Sequence, residues 1–235
     1  MRLEIASAKA IKFACMNFHY AKAVPGCSVG FSVFNDKNEW CGVVLYGLGA
    51  TPNIASQYKL KQGQVLELVR MALNGKQTHT SKCMAISLKM IAKKMPLVKM
   101  IVSYADMDQD HFGTIYQATN WYYTGQCNEN TRTGFIINGK KMHNKSLHSL
   151  GKKQNIAGAK EIDPNAVEYI SKGKRKYIYP LCKSLVPLCK SLAKPYPKKA
   201  LEVHAVEHLT PSQEVGGSSP TPALQNSNKT ETNGI

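Results

Sequence analysis

The run from residue 65 to residue 104 constrains the fold most. It joins an apolar segment, VLELVRMAL (65–73), through an amphipathic segment (81–95) to a second apolar segment, LVKMIVSY (97–104). Within 81–95, Met84, Leu88, Ile91 and Met95 share one helical face, and Lys82, Lys89 and Lys93 share the opposite one. Thr80 or Ser81 can cap that helix, and Pro96 ends it. The segment 65–73 reads as a buried strand. Upstream, Phe13, Ala14 and Asn17 lie at helical spacing within 9–20. SVGFSVF (28–34) and WCGVVLY (40–46) flank the turn residues Asn35-Asp36-Lys37-Asn38, the pattern of a β-hairpin. Downstream, a second helix is expected from about His111 to Tyr123, then a hairpin or extended stretch over 134–150. This order argues for an α/β (α+β) fold, a sheet with helices packed on it.

A chain of 235 residues with 43% hydrophobic composition can form one well-cored domain with a tail. No window approaches the roughly 18 apolar residues of a membrane-spanning helix, and the first twenty residues lack the pattern of a secretory signal. The seven Cys are irregularly spaced without a CxxC pair, which disfavours a disulfide scaffold or a zinc ribbon. The expectation is a cytoplasmic protein with reduced thiols and no membrane partner. Composition divides the chain into a globular domain (1–170), a basic extension (171–199) and a low-complexity tail (200–235) expected to be disordered. The extension has nine Lys and Arg and no acidic residue. It holds a short repeat, PLCKSLV (180–186) and PLCKSLA (187–193), that reads as a local duplication in a linker. Lys+Arg 31 against Asp+Glu 15 gives a net charge of +16, which favours a polyanionic partner.

The richest stretch in chemistry is Ser103–Gly125. An apolar strand delivers Tyr104 and Asp106 at its C-terminal end, where open α/β sheets usually bind ligands. A following helix would set Tyr116, Asn120 and Tyr123 along one stripe. The plainer alternative is an Asp helix cap with core tyrosines. Asp106-x-Asp108-x-Asp110 fails as a calcium loop, because His111 stands where Gly is needed and Gln117 where Glu is needed. Neither G-x-x-x-x-G-K-[ST] nor G-x-G-x-x-G occurs. The amides entering the Lys-rich helix, with Lys76 and Lys82, offer a weak phosphate site. Arg70 inside an apolar run must pair or face a cleft, because an unpaired buried charge is costly. Glu67 is one partner, although in a regular strand the two point to opposite faces. His19-Tyr20 closes the first helix and can serve proton transfer or metal binding, or be merely structural. Lys172, Lys174, Arg175 and Lys176 can neutralise phosphates, and Tyr177 and Tyr179 can stack on an unpaired base.

YADMDQDHFGTIYQATNWYYTG (104–125), with HY at 19–20, LELVRMAL at 66–73 and KGKRKYIYPL at 172–181, resembles the phage Mom family. The resemblance implies an enzyme that converts adenine in double-stranded DNA to N6-carbamoylmethyladenine, which shields phage DNA from host restriction. It also implies a GNAT-like acyltransferase fold, a mixed central sheet flanked by helices. Tyr116-Gln-Ala-Thr-Asn-Trp121 is similar to the Tyr-bearing turn of that superfamily. Carried over, Tyr116 is a general acid, Asp106 orients or deprotonates the adenine amine, and His19 and Tyr20 join them as catalytic residues. Arg70, Thr80, Ser81, Lys82 and Asn120 become binding residues for acetyl-CoA or a related acyl donor. His19, Tyr20 and Asp106 are also implied as ligands for iron. The segment Asn74–Ser81 departs from the superfamily's pyrophosphate loop in having one Gly. The product group is attached through CH2, so simple acetyl transfer does not make it. A base modified at its exocyclic amine must leave the stack, and Lys172, Lys174, Arg175, Lys176 and Tyr177 are assigned to DNA. Oligomeric state stays open, a homodimer included.

Two rival readings remain. One is an N-acetyltransferase acting on a small amine or a protein, and the other is a basic DNA-binding protein without catalysis. An adenine methyltransferase fits less well, since its [DNS]-P-P-[YFW] motif needs the Pro-Pro that this chain lacks.

Overall fold

In the computed structural model, which describes residues 1–49, 52–127 and 132–198, the alternating apolar runs become a seven-stranded sheet. Its strands are β1 (Arg2–Ile5), β2 (Val29–Phe34), β3 (Trp40–Gly47), β4 (Val65–Leu73), β5 (Met100–Asp106), β6 (Tyr122–Cys127) and β10 (Lys174–Pro180), in the order β1-β2-β3-β4-β5-β10-β6. Only β4 and β5 run parallel; the other neighbours are antiparallel. The mixed sheet flanked by helices is the fold class expected from the sequence.

Strand alternation gives the sheet two apolar faces. Helix α2 (Thr80–Lys94) lays Cys83, Met84, Leu88 and Ile91 on one face, against Phe31, Val33, Leu66 and Ile101. On the other face, α1 (Ala8–Phe18) buries Ala14 and Cys15 against Val43, Leu45 and Ala72. That same face receives Ile54 and Tyr58 from two 3-10 turns, and Cys189 from α6 (Val186–Leu192), against Met100, Val102 and Ile178. The Met84/Leu88/Ile91 stripe read from the sequence is therefore core. Each such side chain, once buried, contributes about 1.5–3 kcal/mol. No Thr or Ser side chain caps α2. His79 occupies the cap position without a side-chain bond, and the Thr80 hydroxyl accepts from Gln77 instead.

Four expectations are corrected. The helix foreseen over 111–123 is only α3 (Thr114–Gln117), and the chain then turns into β6. Asn120 adopts φ 59°, which ends any helix there, and the tyrosines that follow pair with β10. Tyr116, Asn120 and Tyr123 therefore do not form one helical stripe. The boundary at residue 170 also falls, because β10, placed in the basic extension, is an interior strand between β5 and β6 and residues 1–199 form one compact unit. The repeat is not a linker. Its first copy ends β10 and enters a 3-10 turn, while its second forms α6. Finally, β5 begins at Met100 rather than at Leu97, which lies in an exposed turn. The disorder expected of 200–235 lies outside the described residues.

Between β6 and β10 the chain builds a separate three-stranded sheet, ordered β8-β7-β9, from β7 (Arg132–Ile137), β8 (Lys140–His143) and β9 (Val167–Ile170). Helices α4 (Asn144–Ser149) and α5 (Ile156–Lys160) complete this inserted module. Phe135, Ile137, Leu147, Ala159 and Ala166 are its core.

Gly113 precedes α3 at φ 75°, and a Cβ there would stand 2.4 Å from the ring of buried Tyr177. Gly113→Ala is expected to lower stability by about 2–3 kcal/mol through left-handed strain and overpacking. Chemical denaturation reads the loss, and a midpoint unchanged from wild type would contradict it.

Candidate active site

Strands β4 and β5 pair over only three residues each, Val65–Glu67 with Met100–Val102, and then part. The parted backbone is bridged by Ser103, whose hydroxyl donates to the Leu68 carbonyl at 2.9 Å. Its oxygen stands 2.8 Å from the Tyr116 hydroxyl. Because the single Ser103 proton points to Leu68, the Tyr116 proton points to Ser103. The gap opens into a cleft of about 800 Å³ lined by His19, Tyr20, Glu67, Arg70, Thr80, Tyr104, Asp106, His111, Tyr116 and Lys174, among others.

The four sequence-assigned catalytic side chains reach this cleft from three elements. Asp106 ends β5, where its Oδ1 accepts from the Asp108 amide at 3.0 Å and its Oδ2 accepts from the Tyr20 hydroxyl at 3.4 Å. His19 and Tyr20 follow α1, with ring centroids 4.2 Å apart. Tyr116 lies on α3, stacked on Tyr177 at 4.7 Å and beside Trp121 at 5.1 Å. Burial is the main cause that pushes Tyr116 up to about 12, so it is a neutral phenol at physiological pH. Tyr20 is likewise pushed up to about 12, by burial and then by the Asp106 charge. Burial first, then the charges of Arg70, His111 and Lys22, brings His19 down to about 4. Its Nδ1 accepts from the Ala21 amide at 3.1 Å, which assigns the proton of the neutral ring to Nε2.

At His19, Tyr20 and Asp106, the residues expected to hold iron, Nδ1 accepts from Ala21, each Asp106 oxygen accepts one hydrogen bond and Tyr20 is a protonated phenol. Among the described residues no group of three or more His, Cys, Asp or Glu converges as a metal site, and the expected iron is not supported.

The residues assigned to the donor divide between two clefts. Arg70 and Thr80 line the main one, whereas Ser81, Lys82 and Asn120 line a second of about 530 Å³ between α2 and the start of β6. The first turn of α2, with Thr80 facing one cleft and Ser81 the other, separates them. Arg70 donates to the Ala23 carbonyl and lies beside the Cys15 thiol, which anchors the chain after α1 to β4. A bulge between Leu45 and Tyr46 breaks the regular β4 register near Arg70.

The residues assigned to DNA fare differently. Lys172 and Lys174 are exposed, and Lys174 lines the main cleft. Arg175 is turned inward, 9% exposed, donating to the His111 carbonyl at 2.9 Å with its guanidinium 4.5 Å from the Phe112 ring centroid. Lys176 is half-buried on Gln57 and Tyr58. Tyr177 is fully buried and donates to the Phe112 carbonyl at 2.7 Å. Arg175 and Tyr177 thus hold the loop before α3 and cannot grip phosphate or stack on a base. Sequence reasoning did not assign Glu67, His111 or Phe112 to the cleft. A carboxylate at Glu67 inside an apolar strand was the same signal that singled out Arg70.

A parted parallel strand pair, an acidic strand end and a buried phenol define an α/β protein with a built polar cleft. Residues 2–198 match the Mom protein family, and the chain belongs to it. It is 26% identical over 155 residues to the methylcarbamoylase mom of Escherichia phage Mu; the match covers 64% of this chain and 63% of that protein. Among solved structures it is similar to a spermidine/spermine N-acetyltransferase SpeG mutant from Vibrio cholerae, with 10% identity, TM-score 0.45 and coverage of 78% of this chain and 96% of that one. It is also similar to a Bacillus subtilis acetyltransferase in complex with CoA, with 11% identity, TM-score 0.44 and coverage of 77% and 99%. Among the described residues no helix is long and apolar enough to cross a membrane.

His19 binds fewer protons in the folded chain than in the unfolded one between about pH 4 and its ordinary 6.5. Stability therefore rises with pH across that window and is lost as pH falls through it. Thermal melts from pH 7 to pH 4 are expected to show a smaller decline in His19→Gln than in wild type. Parallel declines would show that His19 does not carry the effect.

Proposed function

We propose that this protein is a DNA-modifying transferase that installs a carbamoylmethyl group on adenine N6, a reading supported by its membership of the Mom family and by a phage Mu relative named a methylcarbamoylase. The observation that carries the reading is one cleft shared by a carboxylate, Asp106, and a neutral buried phenol, Tyr116. The cleft of about 800 Å³ has room for one extruded nucleobase. Tyr104, Tyr20 and Phe112 give it aromatic walls.

The bond formed is between N6 and the CH2 carbon of the donor, and the bond broken is the one between that carbon and the donor's leaving group. Asp106 accepts the proton that the amine gives up, and the Tyr20 hydrogen bond holds its carboxylate toward that amine. Tyr116 donates its proton toward the departing group, turning from Ser103 to do so. His19 keeps Nε2–H available as a fixed donor.

An acyl-CoA-type donor fits the residues present. No carboxylate occupies the first turn of α2 and no side chain caps it, so its amides and the nearby Lys82 are available to phosphates, with Ser81 and Asn120 beside them and Thr80 and Arg70 in the main cleft. When bound, such a donor would supply an acyl group activated at its carbonyl carbon; attachment through CH2 instead needs a leaving group on the CH2 carbon, which an acyl thioester does not carry. In this reading the protein works on phage DNA in the host cytoplasm and protects it from restriction.

Nucleoside mass spectrometry of DNA from expressing cells is the test. Wild type is expected to yield N6-carbamoylmethyladenine, and Tyr116→Phe and Asp106→Asn to lower the yield by about 10²-fold or more. An ordinary adenine profile from wild type would remove the reading. Full modification by both variants would show that Asp106 and Tyr116 do not carry the reaction.

A further inference from the structure

The module inserted between β6 and β10 has no part in the chemistry above, yet it is joined to the acidic loop of the cleft. Asp108, two residues beyond Asp106, accepts from the Ser171 hydroxyl at 2.7 Å and from the Lys172 amide at 3.0 Å. The Met107 amide donates to the Gly173 carbonyl at 3.1 Å. Tyr169 on β9 hydrogen-bonds Asp108 and accepts from the Lys141 ammonium on β8 at 2.8 Å. One carboxylate thus sets the module's position relative to the cleft, and Asp108 is a positioning residue.

The module's surface is cationic. Residues 132–170 hold seven Lys and Arg against three Asp and Glu. Lys140, Lys141, Lys153 and Lys160 are exposed, whereas Lys152 is paired with Glu161 at 2.9 Å. One face of the small sheet is covered by α4 and α5 through Phe135, Ile137 and Met142. The register sets Ile136, Lys141 and Val167 across from one another on the opposite face. Val167 and Ile170 on the edge strand β9 are 53% and 61% exposed. The free lysines stand on the side of the module that carries the helices, Lys140 beside the covered face and Lys153 and Lys160 before and on α5; exposed cations on a module bonded to the acidic loop of the cleft complement the phosphates of a polyanion.

We propose that this module grips duplex DNA, its lysines on backbone phosphates beside the base that the cleft receives. The inference rests on the DNA reading above and deepens it. It also moves the grip away from β10, whose Arg175 and Tyr177 are interior.

The test compares two triple variants of the full chain by fluorescence anisotropy on an adenine-containing duplex, over a series of salt concentrations. One is Lys140→Gln, Lys153→Gln and Lys160→Gln in the module. The other is Lys9→Gln, Lys12→Gln and Lys37→Gln, exposed residues by β1 and β2 at the far edge of the seven-stranded sheet. Both remove the same charge. The module variant is expected to bind about tenfold or more weakly and to flatten the plot of log affinity against log salt by about 2–3, with the control close to wild type. Equal losses in the two variants, no loss in the module variant, or no duplex binding by wild type would each overturn the proposal. Nucleoside analysis separates the two readings. Loss of binding confined to the module variant, with unmodified adenine in cells expressing wild type, keeps the grip and removes the reaction.

Discussion

The parting of β4 from β5 is the constraint on which the rest depends. Two parallel strands that separate leave carbonyls and amides facing a gap, and buried backbone groups without partners are costly. Ser103 answers that cost by donating to Leu68, and Tyr116 answers Ser103. The same three groups that close the backbone account thus set a phenol at the base of the opening. A cleft arises there because the two strands diverge and α2 and α3 cover one side of the gap only.

The walls of the cleft owe their places to packing elsewhere. α1 is fixed by Ala14 and Cys15 on β3 and β4, and its end carries His19 and Tyr20 to Asp106. The loop before α3 is held by Arg175 and Tyr177 of β10, through the carbonyls of His111 and Phe112. Arg175 and Tyr177 thus do structural work at the back of the site. His19 is kept neutral by burial and by cations around it, and Tyr116 by burial, so the site meets its substrate with two neutral donors and a carboxylate.

Much of this was legible from residue patterns. The β2–β3 hairpin, the apolar β4 and the Met84/Leu88/Ile91 stripe of α2 are local periodicities, and a local periodicity needs only its own segment to be read. The pairing of Tyr104 and Asp106 at a strand end was legible for the same reason. The reach of α3 was not, because one residue in the left-handed region, Asn120, decides between a helix and a turn into β6. The segment of β10 reads as a basic, DNA-contacting extension, since Lys174-Arg175-Lys176 is as polar as any surface segment. Its place between β5 and β6 is a property of the whole sheet. The identical PLCKSL segments make the point again, since the same six residues end a strand in one copy and form a helix in the other.

The sequence by itself determined the alternation that makes a helix-covered sheet, the excess of cations, and the set of polar side chains available for chemistry. Only the tertiary structure decided which of those side chains meet. Tyr20 and Asp106 lie 86 residues apart and share a hydrogen bond, and Arg175, adjacent to exposed Lys174, is interior. The physical reason is that periodicity and charge act over neighbours in the chain, whereas burial and hydrogen-bond partnership are settled by long-range strand order, which no short segment encodes.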